Sequence, residues 1–238
     1  MTVLLDDSCI EDDSFEMTWV KICGTTNLED ALVAVEAGAD AVGFIFYEKS
    51  QRNITVEAAR EIVEKLPENV EKVGVFVGEL DERVCEIAEQ VALTGVQRYV
   101  DLTCDGDTTP RRLEHSIGLK EYLALHAEQR FAFTVEKDGS QKWLSALFLD
   151  AGTPQQPGGT GTVFDWDAAA PLVESLSRSV KVVVAGGLNP TNVGKAIQTM
   201  KPWGVDVASG VEARPGKKDA EKVRAFVKAV REIDRKTS

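Results

Sequence analysis

The sequence predicts one (β/α)8 barrel. Three observations carry this: eight short apolar runs recur along the chain, helical patterns separate most of them, and no Pro/Gly/Ser-rich linker intervenes. Runs nearly continuous in Val, Ile, Phe or Ala read as strands covered on both faces. Each return to a parallel neighbour needs a crossover. Eight such units in about 220 residues fit a closed barrel better than an open doubly wound sheet.

In chain order, the predicted strands are Trp19–Ile22, Ala41–Phe46, Lys72–Val77, Gly95–Val100, Phe131–Val135, Ala146–Leu149, Lys181–Ala185 and Val205–Ala208. The first helical pattern carries Leu28, Leu32 and Val35, starts at Asn27 with Asp30 three residues on, and ends at Gly38. Val56–Leu66 follows a capping Thr55 and is closed by Pro67. Glu82–Leu93, Pro110–Ala127, Phe164–Ser177, Pro190–Met200 and Lys217–Ile233 complete the helical set. Between strands five and six, "EKDGSQKW" is too short and too polar for a helix, which predicts a loop or a single turn.

Residues 1–18 read as a flexible acidic extension and 19–238 as the catalytic barrel. Asp6, Asp7, Glu11, Asp12, Asp13 and Glu16 stand there without a basic residue among them; a partner-docking arm is the alternative reading. The net charge of -12 and a pI near 4.8 argue against nucleic acid, whose phosphates need a basic surface. Apolar residues at 43% allow a sizeable core, and no run approaches the roughly 18 residues of a membrane span. No signal peptide opens the chain, so a cytoplasmic protein is expected, monomer or homodimer, with neither nucleic acid nor membrane as partner. Cys9, Cys23, Cys85 and Cys104 are scattered without a CxxC, and His115 and His126 sit in a helical pattern. Neither a zinc site nor a disulfide framework is expected, and no metal or cofactor.

Three glycine-bearing turns follow the last three strands. "AGTPQQPGGTGTVFDW" comes after Asp150, "GGLNPTNV" after Ala185 and "SGVEARPGKKD" after Ala208. Glycine lets backbone approach an anion closely, and a helix start supplies N–H donors. In such barrels the loops after strands seven and eight frequently hold phosphate. Backbone amides would thus let an acidic protein grip a phosphate ester without a lysine cluster. One such loop alone would mark only a tight turn.

Catalytic groups of such barrels sit at the carboxyl ends of strands. There Cys23 ends strand one, Asp150 ends strand six, Arg52 follows strand two, and Asp206 lies inside strand eight. A thiol and a carboxylate on one rim can share acid–base work. A free cysteine is only about 3% thiolate at neutral pH, a cost of roughly 2 kcal/mol. A free aspartic acid is protonated about one part in a thousand, roughly 4 kcal/mol. Burial is expected to raise the carboxyl, and turn amides to lower the thiol. Taken singly, Cys23 could be an apolar strand cap, Asp150 a turn cap and Arg52 a solvated charge.

"VKICGTTNLEDALVAVEAGADAVGFIFYEKSQRNIT", "LFLDAGTPQQPGGTGTVFDW", "VVVAGGLNPTNVGKAI" and "VDVASGVEARPGKKD" together resemble the phosphoribosylanthranilate isomerases of tryptophan biosynthesis. The likeness runs from about Trp19 to the last helix, with a weak middle. It implies a barrel catalysing an Amadori rearrangement of N-(5-phosphoribosyl)anthranilate, a small-molecule phosphosugar, to the 1-deoxyribulose 5-phosphate derivative. By match to the motifs, Asp150 is the implied general acid on the ring oxygen and Cys23 the implied base at C2′. Arg52 meets the anthranilate carboxylate in this reading. Gly159, Gly161, Gly187, Ser209 and Gly210 grip the phosphate, with Gly158, Gly186 and Asp206 also substrate-binding. The chain departs from the family at "VQRYV", where Arg98, Tyr99 and Val100 replace the usual Leu, His and Gly of the fourth strand. "KSQRNIT" lacks the usual proline before its arginine, and 102–145 is longer than the family pattern. Two alternatives stay open: a related phosphosugar isomerase with altered substrate, and a non-catalytic phosphometabolite-binding barrel.

Overall fold

β1 (Trp19–Ile22) pairs in parallel with β2 (Ala41–Phe46) on one side and with β8 (Gly204–Val207) on the other, so the sheet closes on itself. This computed structural model describes residues 17–99, 112–113, 118–126, 143–150 and 165–237. Between those strands run β3 (Glu71–Val77), β4 (Gly95–Tyr99), β5 (Lys120–His126), β6 (Leu144–Asp150) and β7 (Val182–Ala185), paired in chain order. The predicted (β/α)8 barrel is what forms.

Among the described residues six α-helices surround it: α1 (Leu28–Glu36), α2 (Val56–Val63), α3 (Asp81–Val91), α4 (Trp166–Ser177), α5 (Val193–Met200) and α6 (Ala220–Thr237). Asn27 and Thr55 cap as the sequence predicts, accepting from the amides of Asp30 and Ala58. α5 begins at Val193, because Asn189 to Asn192 form a turn held by their own side chains. After β8 the chain makes a 3-10 turn (Ser209–Val211) and a small antiparallel hairpin, β9 (Glu212–Arg214) with β10 (Lys217–Lys218), before α6 starts. The expected helix start at Lys217 therefore moves to Ala220.

The fifth strand is the main correction. Residues 120–126, expected within a helix, form β5, zipped between β4 and β6. Phe131–Val135 and the "EKDGSQK" loop lie outside the described residues, as does His115. "KEYLALH" consists largely of good helix formers, which is why propensity pointed to a helix. Its burial has period two instead: Tyr122 and Ala124 enter the barrel interior, while Leu123 and Leu125 pack under the helices.

That alternation divides the whole core. One apolar cluster lies between sheet and helices, and a smaller one fills the barrel. At the amino end of the strands Trp19 stacks on Trp203 (5.2 Å) and meets Phe148 edge-on (6.1 Å). Gly95 leaves the room Tyr122 needs, since a Cβ there would lie 2.9 Å from its ring, and at Gly204 a Cβ would lie 2.9 Å from Trp19 O and 3.1 Å from the Trp19 ring. Thr18, assigned by sequence to the extension, is buried and donates from Oγ1 to Asp234 of α6 at 2.6 Å. Arg231 of α6 reaches Asp40 at 2.9 Å, tying the last helix to the loop before β2.

Candidate active site

Strand alternation aims Trp19, Lys21 and Cys23 successively at the barrel axis. Asp206 is the register partner of Lys21 on β8, so both heads meet inside. Lys21 Nζ, fully buried, donates to Asp206 Oδ1 (2.9 Å) and Gln97 Oε1 (3.0 Å), and lies 4.9 Å from the centre of the Phe148 ring. Burial, the largest influence, pulls the ammonium down; the Asp206 carboxylate and Cys23 outweigh it and leave its pKa above the ordinary value. A cation is thereby fixed beneath the rim.

Cys23 stands one layer above, 6% exposed. Gly43 on β2 makes its place, since a Cβ there would lie 2.8 Å from the sulfur and 3.0 Å from Lys21 Cε. The prediction that turn amides lower this thiol is overturned. The Cys23 amide is spent on Val207 O (2.8 Å), and burial pushes the thiol up, with Asp206 adding to the rise and Lys21 and Lys218 opposing it. Burial thus favours the neutral thiol over the thiolate.

Asp150, the last residue of β6, is 4% exposed and accepts a hydrogen bond at Oδ2 from the Tyr99 hydroxyl (2.6 Å). Burial and then the Asp150 charge push the phenol well above its ordinary pKa, so it remains a donor. Cys23, Asp150, Asp206, Gln97 and Tyr99 all line one cavity of about 340 Å³ at the carboxyl ends of the strands. Cys23 and Asp150 therefore face a common space.

Arg52 lines the same cavity, and it is not the solvated charge of the plain alternative. Its Nε and Nη2 donate to the two oxygens of Glu212 at 2.8 Å each, with 12% of the side chain exposed. Those bonds to Glu212 hold the guanidinium pKa up against burial. Gly24 (φ +72°) lets the arginine cross: a Cβ there would lie 2.6 Å from Arg52 Cδ. Burial works to raise Glu212, but the bond from Arg52 and the charge of Lys218 overcome it and hold the carboxyl low. Lys218 Nζ also donates to Cys23 O (2.6 Å) and Ala208 O (3.2 Å), clamping the turn after β1 to the loop after β8.

Of the phosphate candidates, Gly186, Gly187 and Ser209 line the cavity. The two glycines sit at φ +85° and +66°, and Asn192 Nδ2 braces the turn by donating to Gly187 O (3.0 Å). Gly210 is close-packed: a Cβ on it would lie 1.8 Å from Leu188 O, so only glycine lets the loops after β7 and β8 meet. Gly158, Gly159 and Gly161 lie outside the described residues.

Sequence reasoning passed over Lys21, Gln97, Glu212 and Lys218, and treated Tyr99 only as a departure. Lys21 carried a legible signal, being a charge inside an apolar strand two residues before Cys23 and so on its face. Arg98 points away from the axis, pairing with Asp81 (3.1 Å) and the buried Glu121 (3.3 Å).

The sequence model for N-(5′-phosphoribosyl)anthranilate (PRA) isomerase matches residues 20–229. The chain belongs to that family. A relative of that name from Trichlorobacter lovleyi is 42% identical over 219 residues, covering 91% of this chain and 99% of its own. The crystal structure of phosphoribosyl anthranilate isomerase from Thermotoga maritima superposes with a TM-score of 0.75 at 41% identity, covering 91% of this chain and all of that one. A second isomerase structure, at TM-score 0.70 and 39% identity over 91% of this chain and 100% of that one, holds reduced 1-(o-carboxyphenylamino)-1-deoxyribulose 5-phosphate. Family and barrel thus agree from two directions.

Proposed function

We infer that this chain isomerises N-(5′-phosphoribosyl)anthranilate to 1-(2-carboxyphenylamino)-1-deoxyribulose 5-phosphate in tryptophan biosynthesis, with Asp150 as general acid and Cys23 as general base. The observation that carries the assignment of roles is the shared cavity, with both groups on it and the glycine turns of β7 and β8 on its wall.

In this reading Asp150 protonates the ring oxygen. The C1′–O4′ pair leaves with that oxygen, and the anthranilate nitrogen forms the C=N bond. Cys23 then takes the C2′ proton, the C–H pair becomes C1′=C2′, and the iminium pair returns to nitrogen. The enol tautomerises to the ketone. Each proton removed is matched by one delivered, and no electron leaves the substrate.

The raised thiol makes the second transfer the harder one for the protein. The reacting carbon lies next to an iminium, which acidifies its proton. The base is the thiolate, so the thiol proton must first be lost to solvent; Lys21, whose charge is retained, stabilises that thiolate before it takes the C2′ proton. A phosphate held by Gly186, Gly187 and Ser209 contributes binding energy remote from the reacting carbons and sets their orientation. Arg52, kept rigid by Glu212, presents its guanidinium edge to the anthranilate carboxylate. The decisive experiment mixes purified protein with enzymatically generated phosphoribosylanthranilate and follows the loss of anthranilate fluorescence. Loss at an enzyme-dependent rate is expected; a signal that stays at the uncatalysed rate rules the assignment out.

A further inference from the structure

The fourth strand carries tyrosine at the position where the family pattern has histidine, and the fold puts that side chain against the candidate acid. Tyr99 is the last residue of β4, and its side chain turns into the cavity that Cys23, Asp150 and Asp206 share. Its hydroxyl donates to one oxygen of Asp150 at 2.6 Å, a short bond of the kind a phenol makes to a carboxylate. The donor is built in: β4 is ladder-paired to β3 and β5 at every residue from Gly95 to Tyr99, so the phenol cannot drift from the rim.

We propose that Tyr99 is a positioning residue for proton delivery, holding the Asp150 carboxyl on the cavity wall through the bond to Oδ2 and stabilising the carboxylate that forms as its proton passes to the sugar. The same hydrogen bond tightens as Asp150 gains negative charge during ring opening, which favours the transition state over the ground state. The phenol keeps its own proton throughout, consistent with the rise that burial and Asp150 impose on it. Tyr99 touches no reacting atom in this scheme and acts through Asp150.

The proposal rests on Asp150 being the acid, and the test separates the two. Single-turnover rates and steady-state constants are measured for wild type, Tyr99→Phe, Tyr99→His and Asp150→Asn, with thermal melts alongside. Y99F keeps the ring and loses only the donor. Its single-turnover rate is expected to fall about 10- to 100-fold, the size of one hydrogen bond to a charged group, with KM within about threefold. Y99H, which returns a ring N–H donor at the same strand position, is expected to lie between Y99F and wild type. A Y99F rate within twofold of wild type overturns the proposal, as does a change confined to KM, or a Y99H slower than Y99F. If D150N itself turns over near the wild-type rate, the acid assignment falls; if D150N is inactive while Y99F is unimpaired, the role of Tyr99 alone falls.

Discussion

Adding one methyl group at Gly43 tests how tightly the thiol is placed. A Cβ at this position would stand 2.8 Å from Cys23 Sγ, 3.0 Å from Lys21 Cε and 3.1 Å from Cys23 Cα. Ordinary contact begins near 3.5 Å, so the sulfur must retreat by about 0.7 Å and the backbone by a few tenths. Little nearby can absorb that shift. Gly43 O accepts from Thr25 N at 3.0 Å, and Ile22 is register-paired with Val42. Displacements near 1 Å at a reacting group cost about a hundredfold. Gly43→Ala is therefore expected to lower kcat roughly 30- to 100-fold while KM changes little, since the phosphate turns and Arg52 belong to other elements. Overpacking is expected to cost about 1–3 kcal/mol of stability, read from a urea midpoint. Steady-state fluorescence assays give both constants. A folded G43A variant with kcat within twofold of wild type would refute the placement of Cys23 as the base.

The contrasting change is Gly24→Ala, whose Cβ strikes Arg52 Cδ at 2.6 Å and whose φ of +72° disfavours a side chain; it is expected to raise KM about tenfold or more with kcat less affected, checked in the same assay. Glu212→Gln removes the charged partner of both Arg52 and Lys218, so a similar rise in KM is expected together with a lower melting temperature. Lys21→Met leaves Asp206 buried without its cation, a loss expected near 3–5 kcal/mol, and slows the base step by removing the charge beside the thiol. The pH sign follows from the raised Lys21: its contribution to stability is fully present below the unfolded value of 10.5 and is lost as pH rises through the higher folded value. Urea midpoints of wild type should accordingly fall across that alkaline range more steeply than those of K21M; parallel curves would contradict the pairing.

The barrel was legible because parallel strands covered on both faces write themselves as continuous apolar runs, and seven of the eight predicted runs coincide with observed strands. The fifth was misread because "KEYLALH" combines helix-forming residues with strand-type burial, and pairing with β4 and β6 decides the matter. Cys23, Asp150, Arg52 and Asp206 were legible from their places at or near strand ends, and all four line the cavity. Their partners were not. That Glu212 and Lys218 of one hairpin hold Arg52 and the Cys23 carbonyl depends on contacts 160 and 195 residues apart in sequence. The direction of the thiol's shift was misjudged for a related reason: local turn geometry suggested free amides, whereas closure of β1 on β8 consumes the Cys23 amide and buries the sulfur. Gly210 shows the same limit, since its need for glycine comes from Leu188 of the neighbouring loop as well as from any anion.

The proposed mechanism divides the labour, with one proton supplied from Asp150 and another removed by Cys23 on the same bound sugar. Single-turnover loss of anthranilate fluorescence in Cys23→Ala and in Asp150→Asn, beside equilibrium binding of reduced 1-(o-carboxyphenylamino)-1-deoxyribulose 5-phosphate to each, tests it directly. Both variants should bind that ligand within a few-fold of wild type and turn over at least a thousandfold more slowly. A folded variant of either residue that still converts substrate near the wild-type rate would contradict it.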